Sequence, residues 1–346
     1  MSTVATDLAP DAGNETLRGL DAPPAPLAAQ IAPREVNASV AVAPVLQVAT
    51  LRKAFGDNVV VHDVSFSVAA GEVFALLGQN GAGKTTTIKM CSGLLSPDEG
   101  SVRINGCDPQ KGRTAATQLG ALLEGNRNLY WRMTPMENLR YFGVLKGMSV
   151  AQAVAQGRVL LDRFGLADKA DRQVQTLSRG MMQRLAIAVS MLNDPKVLFL
   201  DEPTLGLDVG SVAHMIAMIR SLSEAGVAII LTTHQLDIAE ALSHRVAIMH
   251  RGQVIRIAQT EDLKREFSSA GYEIRMQQPV VDAVRRRIEN ELGGVVDGCN
   301  IRVREDGDAL YSVLEAIRAD PVEHVRRCKA DLTTIFLRLT GEQTHV

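Results

Sequence analysis

The stretch Val73–Thr86, VFALLGQNGAGKTT, decides the fold. Its first five residues are apolar at successive positions, whereas a strand with one wet face would alternate, so the run demands cover on both sides. Glycines follow at 78, 81 and 83, and a Lys-Thr-Thr run then opens a helical segment. Inward-pointing amides backed by the positive end of a helix make an anion site. The stretch therefore predicts a buried strand, a phosphate-binding loop and a helix in that order. Gly78, Asn80, Gly81, Ala82, Gly83 and Thr86 form the cradle in this reading. Lys84 reaches the β- and γ-phosphates of ATP, and the Thr85 hydroxyl ligates Mg2+.

Working outward, two more runs are apolar on successive residues, KVLFLDE at Lys196–Glu202 and VAIILTTH at Val227–His234. Alternating with helical patterns between Val45 and about Arg265, they predict an α/β domain with a largely parallel central sheet. The first run ends in two adjacent acids. A lone carboxylate on a central strand is expensive to bury, but Asp201 beside Mg2+ is compensated, while Glu202 is placed to polarise an attacking water as general base. His234 closes the second run. A histidine at a strand end is ordinarily structural; with the two preceding motifs it becomes a candidate for bonding the γ-phosphate and holding water in line.

The totals narrow the partners. With 37 basic and 39 acidic residues, no overall field draws the chain to nucleic acid or anionic lipid, and no nucleic-acid partner is expected. Cys91, Cys107, Cys299 and Cys328 are scattered, which argues against a zinc site or disulfide framework and for a reducing setting. No apolar run approaches the ~18–20 residues that cross a bilayer, so the chain is not expected to insert in a membrane by itself. Residues 1–44 are rich in Ala and Pro without periodicity and predict a flexible tail with no signal-peptide pattern. Residues 45–265 form the main domain, with a helical block at about 125–195; within it Thr134-Pro135-Met136-Glu137 and Ser149 with Gln152 mark helix starts. From 266 to 346, GYEIRM, VVDAVRRRIENEL, NIRVRE, DALYSVLEAIRA and DLTTIFLRLTG predict a small α+β accessory domain.

Within the helical block, LSRGMMQR at Leu177–Arg184 sets a serine and a glycine at a helix start with no nucleophile, base or metal ligand set beside them. The order GQNGAGKT, LSRGM, VLFLDEP, LGLD, TTH resembles the ATP-binding subunit of ABC transporters over about Val45–Arg265. The resemblance implies that Ser178 and the Gly180 amide face the γ-phosphate held by a second copy, so that two chains, identical or not, sandwich two ATP molecules. It gives Asp208 of LGLD a contact with the other subunit and Phe55 of KAFG a stack on adenine, the latter against the plainer role of an apolar strand neighbour. Trp131, Arg132 and Tyr141 anchor a membrane partner in this reading, unless Trp131 is simply buried.

Two departures mark the subgroup. Arg179 and Met181 replace the glycine and glutamine of the common LSGGQ signature, and Glu124 falls where the family has a glutamine at Mg2+. A carboxylate there can ligate the metal, at the cost of more negative charge near the γ-phosphate. With FLRLTG at Phe336–Gly341 they resemble the ATPases of ABC-2 exporters, notably the daunorubicin-type drug-export group. That resemblance implies a permease on a separate chain, a place on the cytoplasmic face of the inner membrane, and export of a drug-like, lipid or polysaccharide substrate. An importer ATPase and a soluble ABC ATPase acting on translation or DNA are the alternatives; one ATP domain without sustained heptads weighs against the latter.

Overall fold

The structure, a computed structural model, describes residues 43–123, 129–267, 271–304, 308–327 and 331–341. The expected tail, apart from its last two residues, and Glu124 lie outside them.

The chain opens with β1 (Leu46–Phe55) and β2 (Asn58–Val68), a hairpin closed where Phe55 pairs Asn58. Next come β3 (Val73–Leu77), whose five residues are all buried, α1 (Lys84–Cys91) and β4 (Glu99–Ile104). β4 pairs with β1 to complete an antiparallel sheet of order β2-β1-β4. Leu46, Leu51, Val61 and Val64 of this sheet pack with Phe74 and Leu76 of β3, which is how one face of the central sheet is covered.

α2 (Arg113–Thr117) and β5 (Leu119–Leu122) lead into the helical block of α3 (Pro135–Leu145), α4 (Val150–Arg163) and α5 (Arg179–Ser190). Thr134 and Ser149 each close a capping box, with Glu137 and Gln152 reaching back to the cap amides. α3 and α4 lie close because Gly143 faces Ala153; a Cβ on the glycine would sit 2.6 Å from the alanine Cβ.

The chain returns through β6 (Val197–Asp201), α6 (Val209–Glu224), β7 (Ala228–Thr233), α7 (Leu236–Leu242), β8 (Arg245–His250), β9 (Gln253–Gln259) and α8 (Thr260–Phe267). The central sheet runs β5-β6-β7-β3-β8-β9, parallel except for β9. Alternate residues serve two cores. Val73, Ala75, Leu198, Leu200 and Ile229 enter the helical side, and Phe74, Leu76, Phe199 and Ile230 the side of the antiparallel sheet. Each such burial stabilises by roughly 1.5–3 kcal/mol for a large apolar side chain, which is why these runs omit polar residues until their last positions.

Those last positions matter most. In register, Leu77 pairs Thr233 and Asp201 pairs Thr232, so the ends of β3, β6 and β7 sit side by side. Parallel sheets bind ligands beyond the carboxyl ends of their strands, where loops from neighbouring strands converge.

A further sheet of order β11-β12-β10-β13 is formed by β10 (Gly271–Met276), β11 (Val295–Asp297), β12 (Asn300–Arg304) and β13 (Val322–Arg327), interleaved with α9 (Asp282–Asn290) and α10 (Ala309–Ala316). Ile274, Ile288, Ile301 and Val313 make its own core. The last helix, α11 (Leu332–Thr340), leaves that core and buries Leu332, Ile335 and Phe336 in the helical-side core of the central sheet. The Leu332 amide donates to Glu240 on α7 at 3.1 Å. Among the described residues, no helix is long and apolar enough to cross a membrane.

Candidate functional site

The loop between β3 and α1 turns through Gly81 at φ 83° and Gly83 at φ 98°, a left-handed conformation that glycine adopts without steric cost. Space reinforces the choice, since a Cβ on Gly83 would lie 2.8 Å from the Val60 carbonyl and one on Gly78 2.7 Å from that of Met249. Lys84, at the first position of α1, is buried and donates to the carbonyls of Gly78 at 2.6 Å and Gln79 at 3.0 Å. Burial pushes its ammonium below the ordinary lysine value, while Glu202 and Asp201 pull it back up. A cation held across a loop of amides, with two carboxylates behind it, is poised for a polyanion.

Asp201 is buried at the end of β6, where its Oδ1 accepts from Thr85 Oγ1 at 3.2 Å and, more closely, from Thr232 Oγ1. Its Oδ2 is buried with no hydrogen-bond partner. A carboxylate oxygen left unpaired in a buried place costs free energy unless a cation meets it. The pair of Thr85 hydroxyl and Asp201 carboxylate is the hard, oxygen-only donor set that suits Mg2+ bound chiefly by phosphates and water.

Glu202 follows at φ 49°, left-handed for a non-glycine residue. Such a conformation costs on the order of 1–3 kcal/mol and persists where its surroundings demand it. Here it ends the strand and sends the side chain to His234, whose Nδ1 lies 2.8 Å from Glu202 Oε1. The other oxygen, Oε2, is buried and has no hydrogen-bond partner. The histidine side chain is 44% exposed against 12% for the glutamate, so the pair opens to solvent on the histidine side.

Ser178 caps α5 with its hydroxyl accepting from the Met181 amide at 3.3 Å. Gly180, second in the helix, has an N–H without an intrahelical acceptor. It is also packed tightly, since a Cβ there would stand 2.5 Å from Ser211 Oγ. Asp208 caps α6 and accepts from the Ser211 amide at 2.9 Å and hydroxyl at 2.8 Å, bonds that hold its carboxyl below the usual range. Arg179 reaches sideways and donates to the Gly206 carbonyl at 3.2 Å. The starts of α5 and α6 therefore form one unit through Gly180, Ser211, Asp208 and Arg179.

Phe55, at the end of β1, is 53% exposed, with the Lys53 ammonium 5.7 Å from its ring centre. Residues at the strand ends of the central sheet converge, then, while Ser178 and Gly180 belong to the junction of α5 and α6. Three roles go unassigned by the motifs: Thr232 of TTH on Asp201, Ser211 beneath Gly180, and Gln235, which accepts from Thr204 Oγ1 at 2.7 Å. Of these only Thr232 had a signal, a polar residue at the buried end of an apolar strand.

On the helical block, Met133, Glu137, Arg140, Tyr141, Val144, Leu145 and Val150 line a groove of ≈ 520 Å³. Trp131, at 58% exposure, stands near it in sequence, and Tyr130 donates to the Tyr141 hydroxyl at 3.2 Å.

Residues 61–205 match the profile of the family described as ABC transporter. The chain is 38% identical over 305 residues to Nod factor export ATP-binding protein I of Paraburkholderia xenovorans, covering 85% of this chain and 96% of that one. It is 34% identical over 308 residues to the daunorubicin/doxorubicin resistance ATP-binding protein DrrA of Streptomyces peucetius, covering 86% and 92%. A solved structure of an ATP-binding subunit of an ABC transporter superposes with a TM-score of 0.58 at 33% identity, over 64% of this chain and 93% of that one.

Proposed function

Because the chain belongs to the ABC transporter family, as an exporter ATPase of the daunorubicin-resistance type, we propose that two copies clasp two Mg·ATP and drive a separate permease of the ABC-2 type. Binding ATP and hydrolysing it to power transport are the family's work; the residues and the partner geometry are our reading.

The observation that carries it is the Glu202 carboxylate, fixed by His234 at one oxygen and unpartnered at the other. A base needs a free lone pair within reach of water and an orientation held before the reaction. Oε2 takes the proton of the attacking water as its oxygen bonds the γ-phosphorus and the bond to the β-phosphate oxygen breaks. His234 keeps the carboxylate aimed. Lys84 exchanges its loop carbonyls for β- and γ-phosphate oxygens, the amides from Gly78 to Thr86 hold the phosphate chain, and Phe55 stacks on adenine. Thr85 and Asp201 would hold Mg2+, which supplies charge neutralisation on the phosphates when bound. Ser178 and Gly180 of one copy donate to the γ-phosphate on the other, and Asp208 lies at the same junction.

The groove beside α3 supports the permease reading. Exposed Trp131, Tyr141, Val144 and Leu145 with Arg140 and Arg132 have the aromatic, aliphatic and arginine character of an interface centre. A short helix of a multispanning protein fits there, placing the chain peripherally on the cytoplasmic face of the inner membrane. Relatives named for Nod factor export and for daunorubicin/doxorubicin resistance support an export role, with a drug-like, lipid or polysaccharide cargo in this reading.

The test is affinity purification of the tagged full chain from detergent-solubilised membranes of its own cells. A multispanning protein should co-elute and raise ATPase activity on reconstitution; a chain that elutes alone and hydrolyses ATP at one rate with or without membranes refutes the coupling.

A further inference from the structure

Lys146 follows α3 as its C-cap, one residue beyond Leu145, which lines the groove with Tyr141 and Val144. Its ammonium turns inward and donates to two carbonyls at the far end of α5, Val189 at 3.0 Å and Ser190 at 3.3 Å. Those carbonyls form the negative pole of the helix and fall among the last four, which lack intrahelical partners. Holding a cation there is costly, since burial alone pushes the lysine down to about 8. A solvated side chain at the end of α3 would carry no such cost.

The other end of α5 is held as well. Arg179, its first residue, donates to the Gly206 carbonyl at 3.2 Å, and midway along the helix Arg184 donates to the carbonyl of Phe164, the C-cap of α4, at 2.9 Å. At ~1.5 Å per residue, the 12 residues of α5 make a rod about 18 Å long. An α-helix pinned at its ends moves as a body, since its hydrogen-bond ladder resists bending over three turns.

We propose that Lys146 is a positioning residue that carries the state of the groove, through α5, to the phosphate-facing Ser178 and Gly180. The inference rests on the reading of the groove as the permease seat. Groove closure draws the end of α3 and the Lys146 anchor with it, and α5 advances or withdraws its capped start as a unit. By linkage, nucleotide clasped at Ser178 must bias the groove in return.

The experiment uses the full chain and its co-purified membrane partner in proteoliposomes, with ATPase measured in the presence and absence of the partner. K146M should leave the partner-free rate within about twofold of the parent and cut the partner's stimulation by ~5-fold or more, the lower range of coupling energies. K146R, which keeps a cation of similar reach, should restore most of it. K146Q takes the place of K146M if that variant does not fold. Full stimulation in K146M overturns the proposal. So does an equal fall of both rates without rescue by K146R, which marks a purely structural lysine. A parent protein that ignores the partner overturns the groove reading and this inference with it, and because that result is read in the parent alone the two failures stay distinct.

Discussion

Glu202 and Thr232 show how two neighbouring strands divide the work of one reaction. Thr232 donates its hydroxyl to Asp201, and its carbonyl accepts from the Glu202 amide at 3.1 Å, so one residue of β7 fixes both the last residue of β6 and the acid that follows it. T232V keeps the shape and removes the donor; a lost hydrogen bond to a buried charge costs about 1–3 kcal/mol, so Mg2+-dependent nucleotide binding should weaken roughly 5- to 100-fold by titration of a fluorescent ATP analogue. Binding equal to the parent's would remove Thr232 from the site. At Gly180, a methyl group meets Ser211, so G180A should lower ATPase activity about tenfold while G180A/S211G recovers much of it, a coupling that independent sites would not show. The glycines, Lys84 and the paired acids were legible in the sequence because each chemistry demands a residue type at a fixed spacing. Thr232 and Ser211 were not, since their roles come from register and helix packing between segments distant in the chain.

Two elements, α3 and α5, were legible at their starts. Caps at Thr134 and Ser178 follow from local hydrogen-bonding rules, and the helices begin at Pro135 and Arg179. What local rules left open was what the outer face does, and whether Trp131 is buried. It is exposed. Trp131 is the only tryptophan of the chain and lies two residues before Met133 of the groove lining, so its emission is a single-site probe of that surface. Binding of the membrane partner should shift that emission to the blue and shield it from iodide; unchanged quenching on binding would place the partner elsewhere. The half-buried Lys146 at the end of α3 gives a pH signature too. Its folded value of about 8 lies below the ordinary 10.5, so between those limits the unfolded chain holds a proton that the folded chain lacks, and stability rises with pH across that window. Relative to K146M, the parent should gain roughly 1–2 kcal/mol between pH 7.5 and 9.5 in urea unfolding. A difference that stays flat with pH would mean the ammonium is solvated.

At the scale of the whole molecule, the central sheet was legible because runs apolar on successive residues fit only strands covered on both faces. The antiparallel β2-β1-β4 sheet that supplies one cover was not, as its strands are half exposed and KAF at the end of β1 does not say how they pair. The C-terminal region shows the same limit. Its strand and helix patterns could be read locally, yet an apolar helix face does not say which core receives it, and α11 joins the core of the central sheet while β10 to β13 keep their own. The sheet gathers Lys84, Asp201, Glu202 and His234 at the carboxyl ends of β3, β6 and β7, whereas Ser178 and Gly180 belong to the α5–α6 junction. In the proposed site shared between copies, these two groups are assigned to opposite partners. The most direct test is sedimentation velocity of E202Q, which should still bind ATP but stall before hydrolysis. In excess Mg·ATP its mass should double, and a further Ser178→Arg change should abolish the doubling. A stalled variant that binds ATP and stays monomeric, alone and with its membrane partner, would contradict the shared site.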